Sequence, residues 1–328
     1  MPISPSVIVV DRLSKQFSVS SFSGGIFNRF CSLFRPQKRR LIALEEVSFE
    51  VAQGEKIAFI GPNGAGKSTT IKILTGIWRP SSGSVMVAGL SPSSDRQQLA
   101  SQIGVLFGQR SRLWPHLPPM DAFHLLGAMY QLQKSLFQQR LDQLVELFEI
   151  GSLLQRPVKQ LSLGERMRCE LVATLLHRPP ILFLDEPTVG LDLHAKLVIR
   201  QLLNQLSKEE GTTLFLTSHD VQDIEEVCDR TLIIDGGKLV CNSSIDQLKK
   251  RIGKKLVSVA SDRQLFDLKI DGVEWITNAP FSATFEVDLQ RVSLERVIQE
   301  LFKEGGIKDI TIEDPPLEEI IRAIYGKS

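Results

Sequence analysis

"EKIAFIGPNGAGKSTTIKIL" spans Glu55 to Leu74, and its middle, Gly61 to Thr69, decides the fold. An apolar run of strand character ends at Gly61. After the loop, Ile71, Leu74 and Ile77 recur at helical spacing. The loop "GPNGAGKST" fits G-x-x-x-x-G-K-[ST] at Gly61, Gly66, Lys67 and Ser68, with a strand before it and a helix after it. Gly61, Gly64 and Gly66 open backbone conformations closed to other residues. Together with Pro62, Asn63 and Ala65 they let backbone N–H groups curl around phosphate oxygens, reinforced by the positive end of the following helix. Lys67 then reaches the β- and γ-phosphates, Ser68 ligates Mg2+, and Thr69 donates its hydroxyl to the α-phosphate. A chance glycine-rich turn is the bland alternative, and the motif in its context outweighs it. The loop alone means only a nucleoside triphosphate. No N/T-K-x-D guanine signature accompanies it, which disfavours a GTPase.

The 328 residues are enough for one large domain or two ordinary ones. Apolar content of 42% and charged content of 23% fit a globular chain with a real core. No run of about 18 apolar residues occurs, so the chain is not expected to span a membrane. The start "MPISPSVIVVDRLSK" lacks the pattern of a secretory signal. Cys31, Cys169, Cys228 and Cys241 are scattered, which reads as reduced cytosolic thiols rather than a metal or disulfide framework. A net charge of +1 projects no field that would gather nucleic acid. Charge is uneven, however: Arg12 to Leu44 carries bases and no acid, while acids outnumber bases after Val257.

Uninterrupted apolar runs, "ILFLDE", "TTLFLTSH" and "RTLIIDGG", suit strands buried on both faces of a sheet, and with helices between them they predict an α/β core. Val7 to Val10 and "SGSVMVAG" read as further strands. Residues 118 to 160 read as helical, giving a helical subdomain of about 110–175 inserted between strands. Beyond Asn242 the order strand, strand, helix, strand, helix predicts a small α+β domain, 242–328. Asp185 and Glu186 close a buried strand at its C-terminal end, where ligands of open α/β sheets bind. Asp185 would hold Mg2+ through water, and Glu186 would orient and polarise the attacking water. The alternative is a pair that merely caps the next helix. His219 ends another apolar strand at the same edge, which favours a γ-phosphate contact over a structural role. Gln109, after the strand "IGVLF", could touch Mg2+ and the lytic water.

In this order the glycine-rich loop, Gln109, "LSLGE" at 161–165, Asp185-Glu186, "GLD" at 190–192 and His219 resemble the ATP-binding cassette of ABC transporters, over residues 7 to 241. The segments "FGQRSRLWPHLP", "LSLGERMR", "LLHRPPILFLDEPTVGLD" and "LTSHDVQDIEEVCDR" resemble ABC-2-type exporter ATPases most. The resemblance implies a P-loop ABC ATPase fold: a RecA-like core with an antiparallel β subdomain and the inserted helical subdomain, in a nucleotide-binding domain of 1–241. It implies that Phe17 stacks on adenine, that Ser162, Gly164 and Glu165 belong to the signature loop, and that Asp192 is the D-loop aspartate. It further implies ATP and Mg2+ as cofactors and two cassettes joined head to tail. Each ATP then lies between one phosphate loop and the opposite signature loop.

The chain departs from the family pattern in two places. Leu163 and Glu165 replace the usual glycine and glutamine, and a carboxylate near triphosphate costs energy unless paired. Arg168 could offset it. A basic, aromatic insert at 18–40 separates Phe17 from the phosphate loop. Within 23–37, Ile26, Phe27, Phe30, Leu33 and Phe34 fall at helical spacing beside Arg29 and Arg35, which suits a membrane surface or a permease groove as well as a loop tucked onto the cassette. The expected partners are transmembrane permease subunits and a second copy of the chain, with no nucleic acid, at the cytoplasmic face of the membrane. A soluble ABC ATPase acting on nucleic acid or ribosomes is the rival reading, and an inactive scaffold cassette is a third. For 242–328, dimer support is preferred to a regulatory or substrate-binding role.

Overall fold

The computed structural model describes residues 5–20, 38–108, 111–262, 270–304 and 306–325. The chain divides into two compact units, 1–242 and 243–328.

In the first unit, β1 (Ser6–Ser20) lies between β2 (Lys38–Ala52) and β4 (Ser82–Val87) in an antiparallel sheet. The short strand expected at Val7–Val10 is thus one end of a much longer one. Register shifts between Val10 and Leu13 let it bend, with Arg12 at φ 43° in the left-handed region. The second sheet has the order β5-β6-β7-β3-β8-β9, formed by β3 (Lys56–Ile60), β5 (Ile103–Phe107), β6 (Ile181–Asp185), β7 (Thr213–Thr217), β8 (Arg230–Asp235) and β9 (Lys238–Ser244). The ladders from β5 through β8 are parallel. All positions of β7, and nearly all of β3 and β6, are buried, as their unbroken apolar runs require. Phe49 of β2 packs on Phe59 of β3 and Phe215 of β7 at 6.0 and 6.1 Å between ring centres, so the two sheets share one core.

Helix α1 (Lys67–Leu74) follows β3 and buries Ile71 and Leu74 in that core. The short α2 (Arg96–Ala100) precedes β5. Between β5 and β6 run α3 (Pro119–Met129), α4 (Lys134–Leu147) and α5 (Leu163–Leu175). Phe123, Phe137, Leu141, Leu144 and Phe148 are buried there. A side chain at Gly127 would sit 2.7 Å from the Phe137 ring, so α3 and α4 can approach only because that position is bare. The amphipathic α6 (Leu193–Glu210) ends on Gly211, whose φ of 65° supplies the left-handed cap, and α7 (Val221–Val227) leads into β8.

The second unit is an antiparallel sheet of order β11-β12-β10-β13, from β10 (Lys254–Ser261), β11 (Val273–Ala279), β12 (Ser282–Asp288) and β13 (Ile307–Glu313). One face buries Val257, Val259, Phe285 and Val287 with Val297 and Leu301 of α9 (Leu294–Glu304). Helices α8 (Ile245–Ile252) and α10 (Leu317–Tyr325) complete it. Strand β11 and helix α8 add to the five elements expected from the sequence.

Candidate functional site

The phosphate loop joins β3 to α1. Gly64 and Gly66 take φ of 84° and 115°, which favours glycine at both. A Cβ on Gly61 would lie 2.3 Å from the Ile234 carbonyl oxygen, so the loop is held against β8. Helix α1 has no side-chain cap at its N-terminus, leaving its first N–H groups directed into the loop. A cleft of about 610 Å3 opens there, lined by Gly64, Lys67, Ser68, Asp185, Glu186 and His219 among others.

The ends of two neighbouring strands supply the rest. Asp185 and Glu186 close β6, and His219 follows β7. Parallel pairing puts Asp185 beside Thr217, whose hydroxyl donates to Asp185 Oδ1 at 2.7 Å. Ser68 Oγ lies 3.4 Å from Asp185 Oδ2. The Glu186 N–H donates to Thr217 O at 3.0 Å, and Glu186 adopts φ 58°, a left-handed conformation for a residue with a side chain. Its Oε1 is 3.0 Å from His219 Nε2. Lys67 Nζ is 3.4 Å from the same nitrogen and donates to the Gly61 carbonyl at 2.6 Å. Nε2 cannot donate to Glu186 and accept from Lys67 at once; the shorter contact and the carboxylate charge favour the proton pointing at Glu186. Burial raises the Glu186 pKa against the opposing charges of His219 and Lys67. Burial lowers that of Lys67, against Glu186 and Asp185. A half-desolvated carboxylate beside a cation and an imidazole is suited to general-base work.

Ser162, Gly164 and Glu165 do not line this cleft. They open α5, where Ser162 and Glu165 form a reciprocal capping box. The Ser162 N–H donates to Glu165 Oε2 at 2.8 Å, and the Glu165 N–H donates to Ser162 Oγ at 3.2 Å. The backbone hydrogen bond from Ser162 is the main reason the Glu165 pKa lies below its ordinary value. Arg156 Nη1, 3.5 Å from Glu165 Oε1, is the direct ion-pair partner. Arg168 donates to the Phe148 and Glu149 carbonyls beyond α4, and its charge adds a smaller share to holding the Glu165 carboxyl down, as expected. Asp192 caps α6 through the Ala195 N–H at 2.8 Å and is likewise away from the cleft.

Phe17 does not line the cleft either. Its ring stands edge-on to Trp78, 5.0 Å between centres, and Lys72 Nζ sits 4.5 Å from the Trp78 ring while itself lining the cleft. Trp78 is a link that the sequence reading missed. Gln109 and most of the insert 18–40, including all of 23–37 expected to meet a membrane or permease, lie outside the described residues.

Residues 44–189 match the family described as ABC transporter. The doxorubicin resistance ATP-binding protein DrrA of Mycobacterium tuberculosis is 33% identical over 70% of this chain and 69% of its own length. The daunorubicin resistance ATP-binding protein DrrA3 of Streptomyces coeruleorubidus is 29% identical over 87% of this chain and 91% of its own. Among solved structures, an ATP-binding subunit of an ABC transporter superposes with TM-score 0.61 at 25% identity, covering 75% of this chain and 93% of that one. A dimeric bacterial ABC transporter cassette shares the fold, with TM-score 0.61 at 23% identity over 73% of this chain and 98% of that one. The chain belongs to the ATP-binding subunits of ABC transporters, a family of ATPases, and its fold is that of the P-loop ABC cassette. Among the described residues no helix is long and apolar enough to cross a membrane.

Proposed function

We propose that the chain is the ATP-hydrolysing subunit of an exporter, working as a head-to-tail pair that drives separate transmembrane permease subunits at the cytoplasmic face of the membrane. The observation that carries this is the division of the site. Lys67, Ser68, Asp185, Glu186 and His219 gather in one cleft, while Ser162 and Gly164 open a different helix outside it. A second copy offering that helix end would complete the γ-phosphate cage. The resistance proteins among its relatives support the outward direction, and the dimeric cassette of like fold supports the pairing.

In this reading Phe17 meets the adenine, residues 61–69 wrap the phosphates, and Lys67 releases its loop carbonyls to follow the γ-phosphate. Glu186 takes the proton of the attacking water while His219 fixes the carboxylate and contacts the γ-phosphate. Ser68 and Asp185 are hard oxygen donors on one side of the cleft and fit Mg2+, with Gln109 as a third ligand by resemblance. With so few protein oxygens facing it, such an ion would take its remaining ligands from phosphate and water, as Mg2+ prefers. When bound, the ion neutralises phosphate charge. Residues 243–328 serve to support the pair.

Glu186→Gln tests the assignment. It should keep ATP binding, accumulate a closed dimer on size exclusion, and lose turnover by about 100-fold or more, the usual contribution of a general base. Unchanged hydrolysis would remove Glu186 from this role. Ser162→Arg should abolish both hydrolysis and ATP-driven dimerisation, and retention of both would remove the trans contact.

A further inference from the structure

Asp223 on α7 is 1% exposed and lines no part of the cleft. It accepts hydrogen bonds from three separate segments. Arg200 Nε of α6 donates to Oδ1 at 2.6 Å. The other oxygen, Oδ2, takes two hydroxyls: Ser218 at 2.7 Å, and Thr188. Thr188 lies two residues after Glu186, and Ser218 directly precedes His219. One carboxylate oxygen therefore pins together the two loops that carry Glu186 and His219.

The surroundings make the pin stiff. Thr188 and Ser218 are each 3% exposed, so neither hydroxyl can exchange to water without opening the core. Ser218 Oγ also accepts the Asp220 N–H at 3.0 Å, closing a turn around His219. Arg200, 1% exposed, is held by Gln222 and Glu226 through Nη1 at 3.2 and 3.1 Å. Its Nη2 lies 3.3 Å from Asp220 Oδ2, which Lys196 also reaches at 2.6 Å. Glu186 needs such support: its left-handed backbone persists only where neighbours over-determine it.

We infer that Asp223 is a positioning residue of the hydrolytic site. Through Thr188 and Ser218 it sets the separation of the Glu186 carboxylate from the His219 ring. Through Arg200 it ties that separation to α6, the helix that Asp192 opens. A displacement of α6 would then be felt at the catalytic glutamate without any contact to nucleotide. This inference rests on the reading of Glu186 as the base.

Thr188→Val removes one hydroxyl at nearly constant shape, and Thr188→Ser restores it. Steady-state hydrolysis with MgATP, binding of a fluorescent ATP analogue and melting temperature are measured on full-length wild type, both variants and Glu186→Gln. The expected result for Thr188→Val is a kcat at least tenfold lower, with KM and analogue affinity within twofold of wild type. Thr188→Ser should return kcat to within twofold. Ser218→Ala should reproduce the Thr188→Val defect and serves in its place if that variant does not fold. A Thr188→Val kcat equal to wild type, whatever its melting temperature, overturns the inference, as does a loss of nucleotide affinity equal to the loss of kcat. An inactive Glu186→Gln beside a fully active Thr188→Val refutes the positioning role alone, whereas an active Glu186→Gln overturns both readings.

Discussion

Replacing Glu165 by Gln asks whether the acid in the signature-like turn faces the triphosphate or is consumed locally. A carboxylate about 4 Å from one phosphate charge, at an effective dielectric near 20, is disfavoured by about 4 kcal/mol, or roughly a thousandfold in affinity. The structure argues that this penalty is absent. Both oxygens are engaged: Oε2 accepts the Ser162 N–H at 2.8 Å, and Oε1 lies 3.5 Å from Arg156. The group also sits in the first turn of α5, at the positive end of the helix. Glutamine keeps the cap acceptor, so Glu165→Gln should alter ATP affinity and hydrolysis by less than about threefold. Glu165→Ala removes the acceptor and should cost about 1 kcal/mol, a fall of about 2–4 °C in melting temperature. The folded-state pKa of Glu165 is depressed, so its stabilisation is present above the ordinary carboxylate value and fades as pH falls through the folded one. The melting difference between wild type and Glu165→Gln should narrow on acidification accordingly. Fluorimetric melting and a coupled ATPase assay suffice. A tenfold or greater gain in affinity or turnover for Glu165→Gln would refute the reasoning, because it would mean the charge does press on the nucleotide.

Three further outcomes are expected. Gly61→Ala forces a methyl to within 2.3 Å of the Ile234 carbonyl, so the loop must leave β8, and calorimetry should find ATP binding lost; binding within twofold of wild type would contradict the packing. Glu186 has a folded-state pKa raised chiefly by burial, so its ionised form opposes folding above that value, and stability recovers as pH falls through it. Glu186→Gln should therefore melt higher than wild type at mildly alkaline pH, with the gap closing on acidification, and a lower melting point would show that the ion pair with His219 outweighs burial. Asp223→Ala removes the one fully buried acid paired with Arg200 and leaves its Nε without an acceptor, and should cost about 3–5 kcal/mol in urea unfolding. Most of that should return in Asp223→Ala with Arg200→Met, and a double variant no more stable than the single would disprove this account.

The legible parts of the sequence were those where one physical demand dominates. Strands β3, β6, β7 and β8 are buried on both faces, so their apolar runs have few other readings, and the phosphate loop needs glycine where φ turns positive. Strand β11, "VEWITNA", was missed because its exposed positions carry Glu274 and Thr277 beside Ile276, leaving no clean alternation. Helix α8 was missed because its signal is a capping box of Ser244 and Gln247 over only eight residues. Glu165 looked like a misplaced charge because a capping box is recognised only when the helix start is placed at Leu163. Nothing in the spacing of Thr188, Arg200, Ser218 and Asp223 announces their meeting: three chain segments must fold before the shared carboxylate exists. Trp78 joins Phe17 to the cleft for the same reason, through a contact distant in sequence.

Gly108 carries a consequence for reading natural variation. It leaves β5 with its N–H on the Asp185 carbonyl at 2.8 Å, and a Cβ there would fall 2.6 Å from the Glu186 carbonyl and 2.9 Å from that of Asp185. Any missense allele at codon 108 would thus push on the backbone of Glu186, the proposed base, while leaving every proposed site side chain intact. In a screen such alleles would score as catalytic nulls and complement like them, and a survey confined to motif residues would class them as benign.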